Sequence, residues 1–271
     1  MRYPPDAAQA ILRMVNECMQ SDDPPELKIR KVWWTLLYTR GRKLTKDLRD
    51  LVGDKIIGGP FKGMTLTNEA LALYQSPMLL GCYEHELHPV SEKIIAGNYT
   101  HILNIGCSVG YYAVGLARRM PRVIVEAFDI DPEARRKCAA MAKINGVEDR
   151  IRISGEFRGE DFAAYADKKV LILMDIESAE TTLLDPEKYP ALRKMDIVVE
   201  LHDLMDPTIS KTVCDRFTPS HAVELIRNRN HLPDLNAFSS PGNDIGPFDH
   251  LLLGWEGRDG QTPWGVFIAN S

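Results

Sequence analysis

From His101 onward the chain alternates between two kinds of segment. Short runs rich in Val, Ile and Leu occupy 101–106, 123–129, 151–155, 170–175, 196–202, 221–227 and 264–269. Segments with helical spacing lie between them at 110–119, 132–144, 158–166, 178–184 and 207–216. Strands that are apolar throughout must be covered on both faces, and helices threaded between them supply the cover. The pattern predicts an α/β fold: a doubly wound, mostly parallel sheet of seven strands. A chain of 271 residues, 44% hydrophobic and 26% charged, can bury such a core.

The first apolar run enters a glycine turn. His101-Ile-Leu-Asn-Ile-Gly-Cys-Ser-Val-Gly110 reads as a strand and a tight turn, and Tyr111 to Arg119 as a helix. Such a turn presents backbone N–H groups at a helix start with no side chain in the way, which suits a nucleotide. Nineteen residues past Gly110, Asp129 closes the second run. A carboxylate there can accept hydrogen bonds from both hydroxyls of a ribose. Together they point to an adenosine-containing cofactor. The dinucleotide fingerprint G-x-G-x-x-G fits poorly, because Ser108 and Tyr111 stand at its second and third glycines when it is read from Gly106.

Ahead of the alternating part, residues 7–20 and 26–40 have helical spacing, broken by Asp22-Asp-Pro-Pro25. Trp33, Trp34, Leu36 and Leu37 form an apolar face that either docks on the main domain or acts as a substrate lid, and docking is favoured. Residues 55–67 read as a hairpin around a Gly/Pro turn, and 83–96 contain a helix. His85 and His88, with Glu84 and Glu86, read as a solvated face. Residues 229–263 are rich in Gly, Pro, Asn and Asp and form a long loop with one short helix near 248–255.

A net charge of −5 gives no reason to expect nucleic acid or an acidic membrane as partner. No apolar run approaches the roughly 20 residues needed to cross a bilayer, and Met1-Arg-Tyr-Pro-Pro-Asp6 lacks the apolar core of a signal peptide. The five cysteines are odd in number and without a C-x-x-C pair, so they are expected to be reduced thiols in a cytoplasmic protein. Cys107 lies in the glycine turn with no basic neighbour in sequence, which favours packing over a nucleophile's role.

Several segments, in order, resemble the Rossmann-like S-adenosylmethionine-dependent methyltransferases. Gly106-x-x-x-Gly110 fits their first motif, with Asn104 where an acid is usual and Ser108 at the middle glycine. Asn145-Gly-Val-Glu-Asp-Arg-Ile is similar to the segment that leads into their third strand. Asp175-Ile-Glu-Ser-Ala-Glu180 resembles the D-[IV]-E-G-A-E signature of the FkbM type, with Ser178 in place of glycine, and Glu200-Leu-His202 fits that type's next strand. The resemblance covers residues 80–227, with a weaker echo at the last strand, and says little of 1–54. It implies a methyltransferase domain over 81–271, after an N-terminal helical and hairpin region over 1–80 that serves as lid or dimerisation unit. The extra helices are compatible with a homodimer.

The resemblance further implies S-adenosylmethionine as cofactor and a hydroxyl of a small molecule, natural product or sugar as acceptor. The cofactor contacts it implies are Asn104, Gly106, Cys107, Ser108, Gly110 and Tyr111 in the turn, and Asp129 and Ile130 after the second strand. Gly155, Glu156 and Phe157 follow at the adenine, and Asp175 at the methionine end. Tyr83 and Glu84 stand where related enzymes close over that end.

Methyl transfer to an alcohol needs alignment and a place for the proton. Asp175, Glu177 and His202 fall at the carboxyl ends of the fourth and fifth strands and are the candidate catalytic residues. His202 can take a proton near neutral pH or bond structurally to Glu200 or Asp203. Glu180 reads equally as a helix N-terminal acid. Asp175, Glu200, His202 and Asp203 are ligand types for a divalent ion, but nothing in their spacing demands metal and none is expected. Two other readings stay open: a non-catalytic relative that binds without turning over, and an NAD-dependent oxidoreductase.

Overall fold

The computed structural model describes residues 3–70, 76–177, 179–229, 231–233, 235, 245–258, 260 and 262–270. The seven apolar runs join one sheet: β1 (His101–Ile105), β2 (Ile124–Phe128), β3 (Ile151–Ser154), β4 (Val170–Met174), β5 (Asp196–Glu200), β6 (His221–Ile226) and β7 (Trp264–Ala269). Their order is β3-β2-β1-β4-β5-β7-β6. The first five strands run parallel, and β7 runs antiparallel to both β5 and β6. This is a doubly wound, mostly parallel Rossmann-like sheet with an N-terminal helical extension. The dinucleotide-binding order 3-2-1-4-5-6 has no antiparallel strand inserted beside the fifth. The order reverses between β1 and β4, and a crevice opens at that switch point.

Side chains alternate between two cores, as the period of a strand requires. Ile102, Leu171, Leu173 and Val198 pack on one face, with Val114 and Leu116 of α5 (Tyr111–Arg119) and Cys138 and Met141 of α6 (Pro132–Ile144). Leu103, Ile172, Met174 and Ile197 pack on the other, with Phe162, Leu192 and, from α8 (Ile209–Phe217), Val213 and Phe217. Asp131 caps α6 by accepting the Glu133 N–H, with Pro132 at the first helical position.

The N-terminal part differs from expectation in three places. After α1 (Pro5–Gln20), the second helix does not stop near residue 40; α2 runs Pro25–Val52. Leu37, Gly41, Leu44 and Leu48 continue one buried face through it, so Gly41 is a packing position and not a terminator. Docking holds for Trp34, which stacks on Trp255 at 5.3 Å, and for buried Leu37. Trp33 and Leu36 instead stay 54% and 48% exposed. Residues 55–67 double back as expected but without two regular strands: one antiparallel bridge joins Lys55 to Thr65, the Ile56 N–H donates to the Met64 carbonyl at 2.9 Å and the Leu66 N–H to the Asp54 carbonyl at 2.8 Å, and Phe61, Met64 and Leu66 drop into the core that β1 and α5 share.

The short helix expected near 248–255 is α9 (Pro247–Gly254), ahead of β7, and α3 (Ser76–Leu80) and α4 (His88–Ala96) precede β1. α9 packs on α2, and Arg40 forks onto Asp249 across that contact. The solvated face expected at His85 and His88 is found in part: His85 is exposed, with its ring stacked flat on His231 at 3.7 Å, and His88 is half-buried, with Nε2 3.3 Å from the Tyr83 carbonyl. No helix among the described residues is long and apolar enough to cross a membrane.

Candidate functional site

The turn after β1 is held by backbone. The Gly106 and Cys107 N–H groups both donate to the Phe128 carbonyl at 2.8 and 2.9 Å. Gly106 has φ +82°, and a Cβ there would fall 1.7 Å from the Asp175 carbonyl oxygen, so only glycine fits. Ser108 adopts φ +46° without being glycine, at a cost on the order of 1 kcal/mol. In that conformation its N–H donates to Asp129 Oδ2 at 2.9 Å. Asp129 Oδ1 accepts the Asp131 N–H at 2.9 Å. Both carboxylate oxygens are thereby fixed, and each keeps a lone pair for a ribose hydroxyl.

Cys107 and Cys138 face each other beneath the turn. Their mutual hydrogen bond, then burial, push the Cys107 thiol far up, which makes it a packing residue. All five thiols are free. Tyr111 is buried edge-on against Phe61 and Tyr83. Past Asp129, Ile130 is 80% exposed, an apolar side chain free to meet a ligand. Gly155 has open space where a Cβ would stand. Glu156 is exposed and pairs with Arg158 at 3.0 Å. Phe157 is buried between Phe128 and Phe162, so it can offer a ligand its backbone and not its ring.

The rim opposite is built from charges. Asp175 follows β4, its N–H bonded to the Ile105 carbonyl at 3.0 Å. Fully buried Glu180 opens α7 (Glu180–Leu183), and its carboxylate bonds His202 Nδ1, so it is the residue that orients the imidazole and not a surface dipole acid. His202 Nε2 then stands 3.5 Å from Asp175 Oδ1 and 3.8 Å from Glu200 Oε2. Burial works against charge on His202, but the bond to Glu180 and the charges of Glu180, Glu200 and Asp175 outweigh it and raise its pKa. Crowding by protein and then the Glu200 carboxylate push Asp175 up to about 7. The Asp175 side chain keeps 42% exposure, so it sits at the mouth of the rim with one oxygen turned inward.

Of the other acids weighed from sequence, Asp203 turns away to accept the Ser210 N–H and hydroxyl at 2.9 and 2.6 Å. Glu177 is exposed, with φ +49°. Ser178, the departure from the signature, lies outside the described residues.

A second shell of charge was not legible locally. Arg258 reaches from the 229–263 stretch to Glu84 at 2.9 Å, to Glu256 at 3.0 Å and to Glu200. Thr262 Oγ1 donates to Glu200 Oε1 at 2.6 Å, and the Tyr112 hydroxyl donates to Glu84. Glu84 is 1% exposed at φ +47°; burial pushes its pKa well up, opposed mainly by Arg258. Glu84, Asn104, Gly106, Ser108, Tyr111 and Asp175 line one cavity. Asn104 is 3% exposed, with Nδ2 donating to the Leu173 carbonyl at 3.4 Å. Its Oδ1 has no partner among the described residues, and a buried carbonyl oxygen left so calls for a donor.

No protein-family model matches the chain, and no curated protein matches its sequence. Similar solved structures include the O-methyltransferase TomG from Streptomyces achromogenes in complex with SAM, at 14% identity and a TM-score of 0.47, over 73% of this chain and 87% of the other. An O-methyltransferase from Bacillus cereus in complex with SAH is similar at 11% identity and a TM-score of 0.42, over 100% and 93%. A precorrin-6y C5,15-methyltransferase from Geobacter metallireducens is similar at 11% and 0.44, over 67% and 89%.

Proposed function

We propose that this protein is an S-adenosylmethionine-dependent methyltransferase of the FkbM type, acting on a hydroxyl of a small molecule, natural product or sugar. One observation carries the reading. The cavity runs from the turn residues Gly106, Cys107 and Ser108, whose Ser108 N–H holds the neighbouring Asp129 carboxylate, to an acidic, acceptor-rich end formed by Glu84, Asn104 and Asp175. The ligand that suits both is a nucleoside with a cationic arm. S-adenosylmethionine brings an ammonium and a sulfonium to that end. A dinucleotide would bring two negative phosphates to the same carboxylates, which repel them.

The chemistry follows from position. The hydroxyl oxygen attacks the methyl carbon in line with the carbon–sulfur bond; the new C–O bond forms as that bond breaks, and S-adenosylhomocysteine leaves. The hydroxyl proton must go elsewhere. His202 Nε2, aimed by Glu180, and the Asp175 carboxylate are the pair at hand for it. Exposed Glu177 borders the acceptor side. Residues 1–80 and 229–263 shape the acceptor pocket, and 81–271 bind the cofactor. The free thiols fit a reducing cytoplasm.

Calorimetric titration tests the reading. S-adenosylhomocysteine is expected to bind and NADH not to bind. If neither S-adenosylmethionine nor S-adenosylhomocysteine binds at about 1 mM, the reading fails. Tight binding without methyl transfer across a broad acceptor panel would instead favour a non-catalytic binding protein.

A further inference from the structure

Three donor atoms on the rim converge from two strand ends. One donor atom each from Asp175, Glu200 and His202 lies within 4.8 Å of the other two, and His202 Nε2 stands 3.5 Å from Asp175 Oδ1 and 3.8 Å from Glu200 Oε2. Neighbouring positions around an octahedral ion sit about 3.0 Å apart and opposite ones about 4.2 Å, from bond lengths near 2.1 Å. The separations of 3.5 and 3.8 Å from Nε2 fall between those limits.

Each donor is also aimed by a partner on its far side. Glu180 holds Nδ1 of His202, which leaves Nε2 as the free ring nitrogen. Arg258 and Thr262 occupy Oε1 of Glu200, which leaves Oε2 turned to the imidazole. Metal-binding histidines and carboxylates are held in this way from behind.

Charge gives a separate reason. Glu84, Asp175, Glu180, Glu200 and Glu256 meet one guanidinium, Arg258, and one imidazole, His202, among the described residues. Four of these carboxylates are 15% exposed or less at the side chain. Buried carboxylates need partners. Were all five ionised, negative charge would be left over even with the imidazole protonated and the single net positive charge of S-adenosylmethionine added. In the same cavity, 97% buried Asn104 presents an unpartnered oxygen, which marks this end as built for a ligand with positive or donor groups.

We infer that Asp175, Glu200 and His202 are the protein ligands of a divalent cation of the magnesium–manganese class, with Glu180 as the positioning residue. Two carboxylate oxygens and one imidazole nitrogen, without thiolate, suit that class. Three ligands leave coordination positions open toward the crevice. If the proposed methyltransferase reading holds, an acceptor oxygen would take one of them and the cation would lower the hydroxyl's pKa; His202 and Asp175 would then serve as ligands in place of proton acceptors, and the proton would pass to solvent at the exposed mouth of the rim. The cation site itself does not depend on that reading.

Mn²⁺ is the probe, because its free-ion electron paramagnetic resonance signal falls on binding. The full chain is expected to take up about one Mn²⁺, with Asp175→Asn and His202→Asn each weakening uptake at least about tenfold. Glu224→Gln, at an exposed acid on β6, should leave uptake unchanged. Thermal unfolding of each variant without metal confirms that it is folded. An undiminished free-ion signal with wild-type protein at about 1 mM Mn²⁺ overturns the proposal. So does equal uptake by wild type and both rim variants. S-adenosylhomocysteine affinity, measured without Mn²⁺, reports on the cofactor reading alone, so either can fail without the other.

Discussion

The two ends of the crevice are built differently. The turn end is mostly backbone: Gly106, Cys107 and Ser108 give their N–H groups to the Phe128 carbonyl and the Asp129 carboxylate, and the stretch from the end of β1 to the residue after β2 supplies all of it. The rim end is side-chain charge gathered from distant stretches: Glu84 before α4, Asp175 and Glu180 after β4, Glu200 and His202 at β5, and Arg258 before β7. A backbone site tolerates changes of side chain but not the wrong backbone conformation. A buried charge cluster is sensitive to the loss of any one partner. Ser108 illustrates the first rule, since it replaces glycine and still delivers its N–H to Asp129.

That contrast can be broken at the rim most forcefully. Arg258→Met strips the guanidinium from Glu84, Glu200 and Glu256. It should destabilise the protein by about 3–5 kcal/mol in urea unfolding; a loss below about 1 kcal/mol would mean that the carboxylates are held by something else. Next, His202→Ala should lower methyl transfer about 100-fold or more once an acceptor is known, while S-adenosylhomocysteine affinity stays near wild type. Loss of both together would erase the division between the ends.

At the turn end, Asp129→Ala removes the proposed ribose acceptor and the partner of the Ser108 N–H. Affinity for S-adenosylhomocysteine should fall about 10- to 100-fold by calorimetry, and unchanged affinity would move the ribose elsewhere. The smallest effect belongs to Lys46→Ala, whose pair with Asp50 is exposed on α2. It should change stability by less than about 0.5 kcal/mol, which calibrates the rim against an ordinary surface ion pair.

The same contrast separates what was legible in the sequence from what was not. The seven strands, α5, α6, the glycine turn and Asp129 are local patterns of period, spacing and turn chemistry, and the fold follows from them. Asp175 and His202 were legible because strand ends at a switch point face one crevice. Arg258 was not, since an arginine in a Gly-, Asp- and Pro-rich stretch has no period that says where it points. Glu180 read as a helix-terminal acid because its partner lies 22 residues away on another strand. α2 ran past Gly41 because a tertiary contact, Leu44 and Leu48 against the core, outweighed the weak helix propensity of one glycine.

A crystal structure with S-adenosylhomocysteine tests the central claim most directly. The account predicts the ribose hydroxyls on the Asp129 carboxylate and the amino-acid end beside Asn104, with its ammonium donating to the open Oδ1. A nucleoside seated away from Asp129, or an Asn104 oxygen still without a donor in the complex, would contradict it.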